Sequence, residues 1–210
     1  MYPIDSPIDA LSRLVEGNLR FRRSETGEPA SPELIHNLYQ FGQHPWAVIL
    51  TCSDSRVPPE LLFQCGLGEL FVIRSAGHAL DRAGMGSVEY AVLHLGVRLV
   101  LVLGHTNCGA VAAALEETPD ASPENLSHLL ALFEPALSQA RSRPGLPQHE
   151  ISSQVENVHT RHTVQLLREN PVLSQVEGLA IVGGKYNTCT GEFALLDLEP
   201  LLPLWLDRAQ

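Results

Sequence analysis

A chain of 210 residues, 44% hydrophobic and 18% charged, has the size and composition of one globular domain with a sizeable core. Its formal net charge is −10, and its thirteen Arg and one Lys gather into no basic stripe, which argues against a nucleic-acid partner. The apolar runs fall well short of the ~20 residues that span a bilayer. Met1 to Ser12 lacks the basic segment and apolar core of a signal peptide, so the expectation is a cytoplasmic protein with reduced thiols.

In chain order, Ser6-Pro7-Ile8-Asp9 reads as a helix start: Ser as N-cap, Pro at the first position, Asp placed for a capping box. Leu11, Leu14, Val15 and Leu19 follow at helical spacing, and Arg20 to Arg23 ends the element. Ser31-Pro32-Glu33 opens a second helix, with Leu34, Leu38 and Phe41 on one side and Gly42 as its stop. Residues 1–42 therefore read as an N-terminal helical arm that packs on the main domain or on a second subunit, and 43–210 as the α/β domain. Trp46 to Thr51 is a buried-strand run, Pro58-Pro59-Glu60 opens a short helix, and Leu70 to Ile73 is a second strand. A helix enters through Gly84 to Gly86 and carries Val88, Tyr90, Ala91, Val92 and Leu95, followed by a strand over Leu99 to Leu103 and a small-residue helix from Ala110. Glu116 to Glu124 reads as an acidic linker, Leu126 to Phe133 as a helix, and Pro144 and Pro147 as breaks. A long helix from about Glu150 to Arg168 shows Val155, Val158, His162 and Leu166 along one side. Leu179 to Val182 is a strand, and Phe193 to Leu196 an antiparallel edge strand. Strands alternating with helices predict an α/β fold around a mostly parallel central sheet flanked by helices, in which ligands sit outside the carboxyl ends of the strands.

Two loops lie at that edge. Cys52-Ser53-Asp54-Ser55-Arg56 follows the first strand, and Gly104-His105-Thr106-Asn107-Cys108-Gly109 follows the third. Two thiolates and an imidazole form a zinc ligand set with an open fourth position, the arrangement of catalytic rather than structural zinc. The other thiols, Cys65 and Cys189, stand in no ligand-like spacing. The plainer alternative makes Cys52 and Cys108 small core residues and His105 a turn residue. Asp54 and Arg56, two residues apart, can form a bidentate charge-assisted pair that keeps the carboxylate ionised. Such an Asp can accept a hydrogen bond from an attacking hydroxide, or fill the fourth metal position itself. It can equally be half of a loop salt bridge.

At these residues the sequence resembles the β-class carbonic anhydrases. The matching stretches are Cys52 to Glu60, Gly68 to Arg74 with Ala76-Gly77, Glu89 to Val92, and Gly104-His105 with Cys108-Gly109. Val182-Gly183, Tyr186 and Thr190-Gly191 resemble the family's last strands. The resemblance implies that Cys52, His105 and Cys108 hold Zn2+, that Asp54 and Arg56 form the catalytic dyad, and that CO2 is reversibly hydrated to bicarbonate and a proton. It implies a substrate pocket of Gln43, Phe71, Ala76 and Tyr90, with the backbone N–H near Gly109 beside the bicarbonate oxygens. It also implies a homodimer or larger homo-oligomer. Relatives that hydrolyse COS or CS2 on the same fold, and a non-catalytic zinc-containing relative, stay open as alternatives, as does an organelle or microcompartment as the location.

Ser75 and His78 stand where the family often has Asn. His78, at a strand end, reads either as a proton relay or as a histidine on the subunit surface. His159 and His162, three apart on the long helix, read as a solvated pair, His94 as a core or interface residue, and Cys65 and Cys189 as buried thiols.

Overall fold

The computed structural model describes residues 6–25, 27, 30–116, 122–142 and 147–197. Most of the predicted acidic linker and the break at Pro144 lie outside them. α1 (Pro7–Arg22) begins as its sequence dictates: the Ser6 hydroxyl accepts the Asp9 N–H at 3.2 Å, with Pro at the first helical turn. Ala10, Leu11 and Leu14 are buried against Leu62, Phe63 and the sheet residues Leu101 and Val182, so α1 shares the main core. It approaches so closely that a Cβ on Gly17 would lie 1.8 Å from the Phe63 carbonyl oxygen. The next residue, the buried Asn18, donates to the Leu62 and Gly191 carbonyls and accepts the Phe193 N–H. α2 (Pro32–Phe41) behaves differently: it is capped by Ser31 but buries nothing, and leaves Ile35, Tyr39 and Phe41 exposed.

The sheet has the order β2-β1-β3-β4-β5. β1 (Ala47–Cys52), β2 (Leu70–Ser75), β3 (Leu99–His105) and β4 (Ala180–Tyr186) are parallel, and β5 (Phe193–Leu195) runs antiparallel on β4. β1 and β3 are buried along their whole length, as expected of continuous apolar runs covered on both faces. On one face Ile49, Leu99, Leu101 and Leu103 meet α1 and the short α3 (Pro59–Leu62). On the other, Val48, Leu50, Val100 and Val102 meet α4 (Arg82–His94) and α8 (Gln148–Arg168). β2 is an edge strand and only half-buried.

Several elements differ from the sequence expectation. α4 starts two residues before the predicted glycines because Asp81 caps it, its carboxylate accepting the Gly84 N–H at 2.7 Å. The helix expected over 126–133 is α6 (Glu124–Ala131), and a further one, α7 (Glu134–Arg141), follows it. With α5 (Gly109–Glu116) these pack beyond the carboxyl ends of the strands, where Val111, Leu130, Phe133 and Val155 surround Cys52 and Cys108. β4 extends beyond Val182 through Gly183-Gly184-Lys185 to Tyr186, and Gly184 lets the β5 side chain Phe193 pack close, since a Cβ there would sit 2.4 Å from its ring.

The largest difference is the face that α8 buries. Val155, Glu156, His159, Thr160, Thr163 and Leu167 are buried, whereas Leu166 is 39% exposed. The apolar periodicity had pointed to Val155, Val158, His162 and Leu166. The buried side is largely polar because it lies behind the loops at the strand ends. Among the described residues no helix is long and apolar enough to cross a membrane.

Candidate metal centre

The parallel registry places the two loops side by side. Thr51 of β1 is paired with Leu103 of β3, so Cys52 and His105 emerge at one edge of the sheet. Cys108 returns to them at the start of α5, after Asn107 takes a left-handed φ of 55°. The Cys52 and Cys108 sulfurs and one nitrogen of His105 all lie within 4.8 Å of one another, and all three residues are buried. His105 Nδ1 donates to the Thr106 carbonyl at 2.9 Å, which leaves Nε2 as the lone-pair atom. That Nε2 is buried and has no hydrogen-bond partner among the described residues. Two soft sulfurs and an unpartnered imidazole nitrogen suit a tetrahedral zinc with one position left for another ligand.

Electrostatics within the trio follow from proximity. The Cys108 thiol donating to Cys52 holds the Cys52 thiol well below its ordinary range despite burial. His105 and the backbone N–H groups of Asp54 (3.4 Å) and Gly77 (3.1 Å) add to this. Cys108 is pushed the other way, by the Cys52 sulfur and then by burial. Burial works against charging His105, but the Cys52 sulfur, the Thr106 carbonyl and the Asp54 carboxylate outweigh it and raise its pKa. A divalent cation entering here must displace protons, so its affinity rises with pH.

Asp54 stands beside this trio. Its Oδ1 accepts from the Arg56 backbone N–H and Nε, both at 2.9 Å, and its Oδ2 accepts from Arg56 Nη2 at 2.7 Å. The Arg56 guanidinium thereby holds the carboxyl down at about 2. The same Nη2 donates to the Asn107 carbonyl at 3.0 Å, tying the first loop to the second. Asp54 Oδ2 lies 3.9 Å from His105 Nε2. With both oxygens engaged by Arg56, the carboxylate in this arrangement is oriented as a partner of the guanidinium and faces the trio from one side.

The resemblance-derived pocket residues divide into two groups. Ala76 and Gly109 belong to this edge: Ala76 precedes the Gly77 N–H that reaches Cys52, and Gly109 follows Cys108. Gln43, Phe71 and Tyr90 do not. Phe71 is paired with Val48, four strand residues and so about 13 Å from Cys52. Gln43 lies beyond the amino end of β1 and is exposed. Tyr90 on α4 is 47% exposed, with its ring 6.1 Å from that of Phe71.

The structure also locates residues that the sequence left without a role. Arg74 of β2 braces the first loop through the Cys52 and Asp54 carbonyls (3.0 and 2.7 Å). Thr188 braces the second through Thr106, its N–H donating to Thr106 Oγ1 at 3.0 Å. The buried Glu156 accepts the Cys108 N–H at 3.2 Å and pairs with Lys185 at 2.8 Å. Two readings are corrected: Cys65 is half-buried and Cys189 exposed, so neither is a fully buried thiol. His94 is exposed and stacked on Tyr90, which rules out the core half of its reading.

His78 and His159 are each only 2% exposed, so one is not a surface residue and the other is not part of a solvated pair. Their rings lie 4.7 Å apart, and His159 stacks on Phe133. Burial pulls His78 well below its usual 6.5 and His159 to about 4, which keeps both neutral and makes His78 unsuited to carrying protons to buffer. The unfolded chain takes up protons near 6.5 where the fold resists them, so stability is full above that pH and falls toward pH 4. His159 alone should account for about 3 kcal/mol over this window. Urea unfolding at pH 7.5, 6 and 5 should show the loss, with a shallower slope in His159→Leu. An equal slope in the variant would remove His159 as its source.

Comparison with known proteins agrees with this geometry. A family model described as carbonic anhydrase matches residues 47–193. Carbonic anhydrase 2 of Mycobacterium tuberculosis is 38% identical over 199 residues, 93% of this chain and 95% of the relative. Among solved structures, the β-carbonic anhydrase CcaA superposes with a TM-score of 0.74 at 26% identity, covering 90% of this chain and 88% of the other. The Coccomyxa β-carbonic anhydrase in complex with acetazolamide gives 0.71 at 26%, covering 89% and 86%.

Proposed function

The chain belongs to the β-class carbonic anhydrases, and from that membership we propose that it catalyses the reversible hydration of CO2 to bicarbonate with zinc held by Cys52, His105 and Cys108. The observation that carries this reading is the buried trio with an unpartnered His105 Nε2 beside a carboxylate already committed to Arg56. Zinc bound there would supply a nucleophile by lowering the pKa of water from ~15.7 toward ~7. Two thiolates donate charge and moderate that effect, so activity should rise on the alkaline side of neutrality.

In this mechanism Asp54 would accept a hydrogen bond from the O–H of the attacking oxygen, so that the oxygen's lone pair points at the carbon. Arg56 keeps Asp54 ionised and oriented, and through the Asn107 carbonyl holds the two loops at fixed separation. The backbone N–H near Gly109 would donate to the developing bicarbonate oxygens. Ala76 supplies apolar wall in the same copy.

Gln43, Phe71 and Tyr90 belong to the pocket only if a second copy brings them, since within one copy they lie toward the other end of the strands. The exposed Tyr90 and Leu93 and the uncovered apolar side chains of α2 support such an assembly. A homodimer or larger homo-oligomer, acting in the cytoplasm, completes the reading. In this reading α2 is the free part of the N-terminal arm, while α1 is docked on the core of the catalytic domain.

The test is a stopped-flow hydration assay on protein of known zinc content, with COS and CS2 hydrolysis measured in parallel. CO2 turnover proportional to zinc is the expected result. Turnover of COS or CS2 without CO2 hydration would replace this reading with the hydrolase one.

A further inference from the structure

Behind the second loop sits an ion pair that the proposed mechanism does not use. Glu156 of α8 is 4% exposed; one carboxylate oxygen accepts the Cys108 N–H at 3.2 Å and the other meets Lys185 Nζ at 2.8 Å. Lys185 comes from β4, paired in register with Gly104 immediately before His105. Its ammonium also donates to Ser153 Oγ (3.1 Å) and the Ser153 carbonyl (3.4 Å). We propose that Glu156 and Lys185 are positioning residues for the metal loop: Glu156 holds the Cys108 peptide so that its sulfur points at Cys52 and His105, and Lys185 holds Glu156.

Three observations support this. The Cys108 N–H lies at the start of α5, where it has no acceptor within its own helix, and Glu156 supplies one from a neighbouring element. Glu156 is almost fully buried, and a carboxylate that would be costly to bury alone is paired with Lys185 at 2.8 Å at the point where it holds the Cys108 peptide. The partner is also the only lysine in a chain with thirteen arginines. A compact ammonium with three rotatable donors fits three close acceptors, all on α8, where a planar guanidinium would not. A buried ion pair retained only for stability is weakly motivated, because such pairs gain little over apolar packing.

The inference rests on the proposed metal site, and its test therefore reads metal binding directly. Glu156→Gln and Glu156→Asp are each prepared with the native protein. The first removes the charge; the second keeps it but withdraws the carboxylate from Cys108 by one methylene. Zinc affinity is measured by chelator competition, and the thiolate-to-metal charge-transfer band is recorded for the cobalt-loaded forms. Each folded variant should bind zinc 10–100-fold more weakly, with a displaced cobalt band, and Lys185→Met should weaken zinc further still by leaving the carboxylate unpaired. Native affinity and an unshifted band in whichever glutamate variant folds, with only a lowered melting temperature, would overturn the proposal and leave the pair a structural one. If the native protein binds zinc but does not hydrate CO2, the functional reading fails while this measurement still decides the role of Glu156.

Discussion

Cys108→Ser should purify without stoichiometric zinc and without measurable CO2 hydration. The argument starts from the donor set. Cys52, His105 and Cys108 are the group of described residues whose donor atoms converge within 4.8 Å. Losing one of three protein ligands removes a thiolate that a serine hydroxyl, which stays protonated at neutral pH, cannot replace. The substitution is nearly isosteric at a buried position packed against Val111 and Phe133, so the fold should persist and the loss should be specific to metal. Zinc is measured by atomic absorption on the dialysed protein. Cys65→Ser and Cys189→Ser serve as controls and should retain a full zinc complement, because one thiol is half-buried elsewhere and the other is exposed. A full complement of zinc in Cys108→Ser would overturn the ligand assignment.

The central sheet and both loops were legible because two signals coincide there. Continuous Val/Ile/Leu runs such as Leu99 to Leu103 identify doubly covered parallel strands, and the chemistry-bearing residues follow them directly in sequence. α8 was not legible in the same way. Its buried face carries Glu156, His159, Thr160 and Thr163, so a search for apolar periodicity rotates the helix toward Leu166. Glu156 meets the Cys108 N–H after β3 and Thr160 meets His78 after β2, and no local pattern encodes that. The same holds for Asn18, which reads as an ordinary polar helix position yet joins α1 to the Leu62 carbonyl and to the Phe193 N–H.

The pocket residues teach a related lesson about distance. Gln43 stands nine residues before Cys52 in sequence, which reads as nearness, but the chain is extended from Ala47 to Cys52 in β1. Motif spacing therefore carries a residue's identity without saying which copy of the chain uses it. By contrast Asp54 and Arg56, two residues apart in a tight loop, meet as their spacing suggests, and the extra bond from Arg56 to Asn107 is what only the structure adds.

Asp54→Asn should retain zinc and lose CO2 hydration by about a hundredfold or more, within the range seen when a positioned proton acceptor or oxyanion-type contact is removed. Asn matches Asp in shape, so the loop and the Arg56 contact to Asn107 should survive, while the amide has one acceptor oxygen where the carboxylate has two and presents a donor where an acceptor is needed. The pH dependence separates this role from a simple titration. Hydrogen bonding to Arg56 holds Asp54 at about 2, below its ordinary 3.8, so the carboxylate is ionised throughout the range in which the protein is active. Its pairing with Arg56 is complete above pH 3.8 and is lost only as pH falls through about 2. The alkaline rise in turnover then belongs to the metal centre, and Asn at position 54 should lower the plateau of that profile without moving its midpoint. Native turnover in the zinc-loaded variant would remove Asp54 from the mechanism. A lowered plateau accompanied by loss of zinc would place Asp54 instead among the groups that hold the metal.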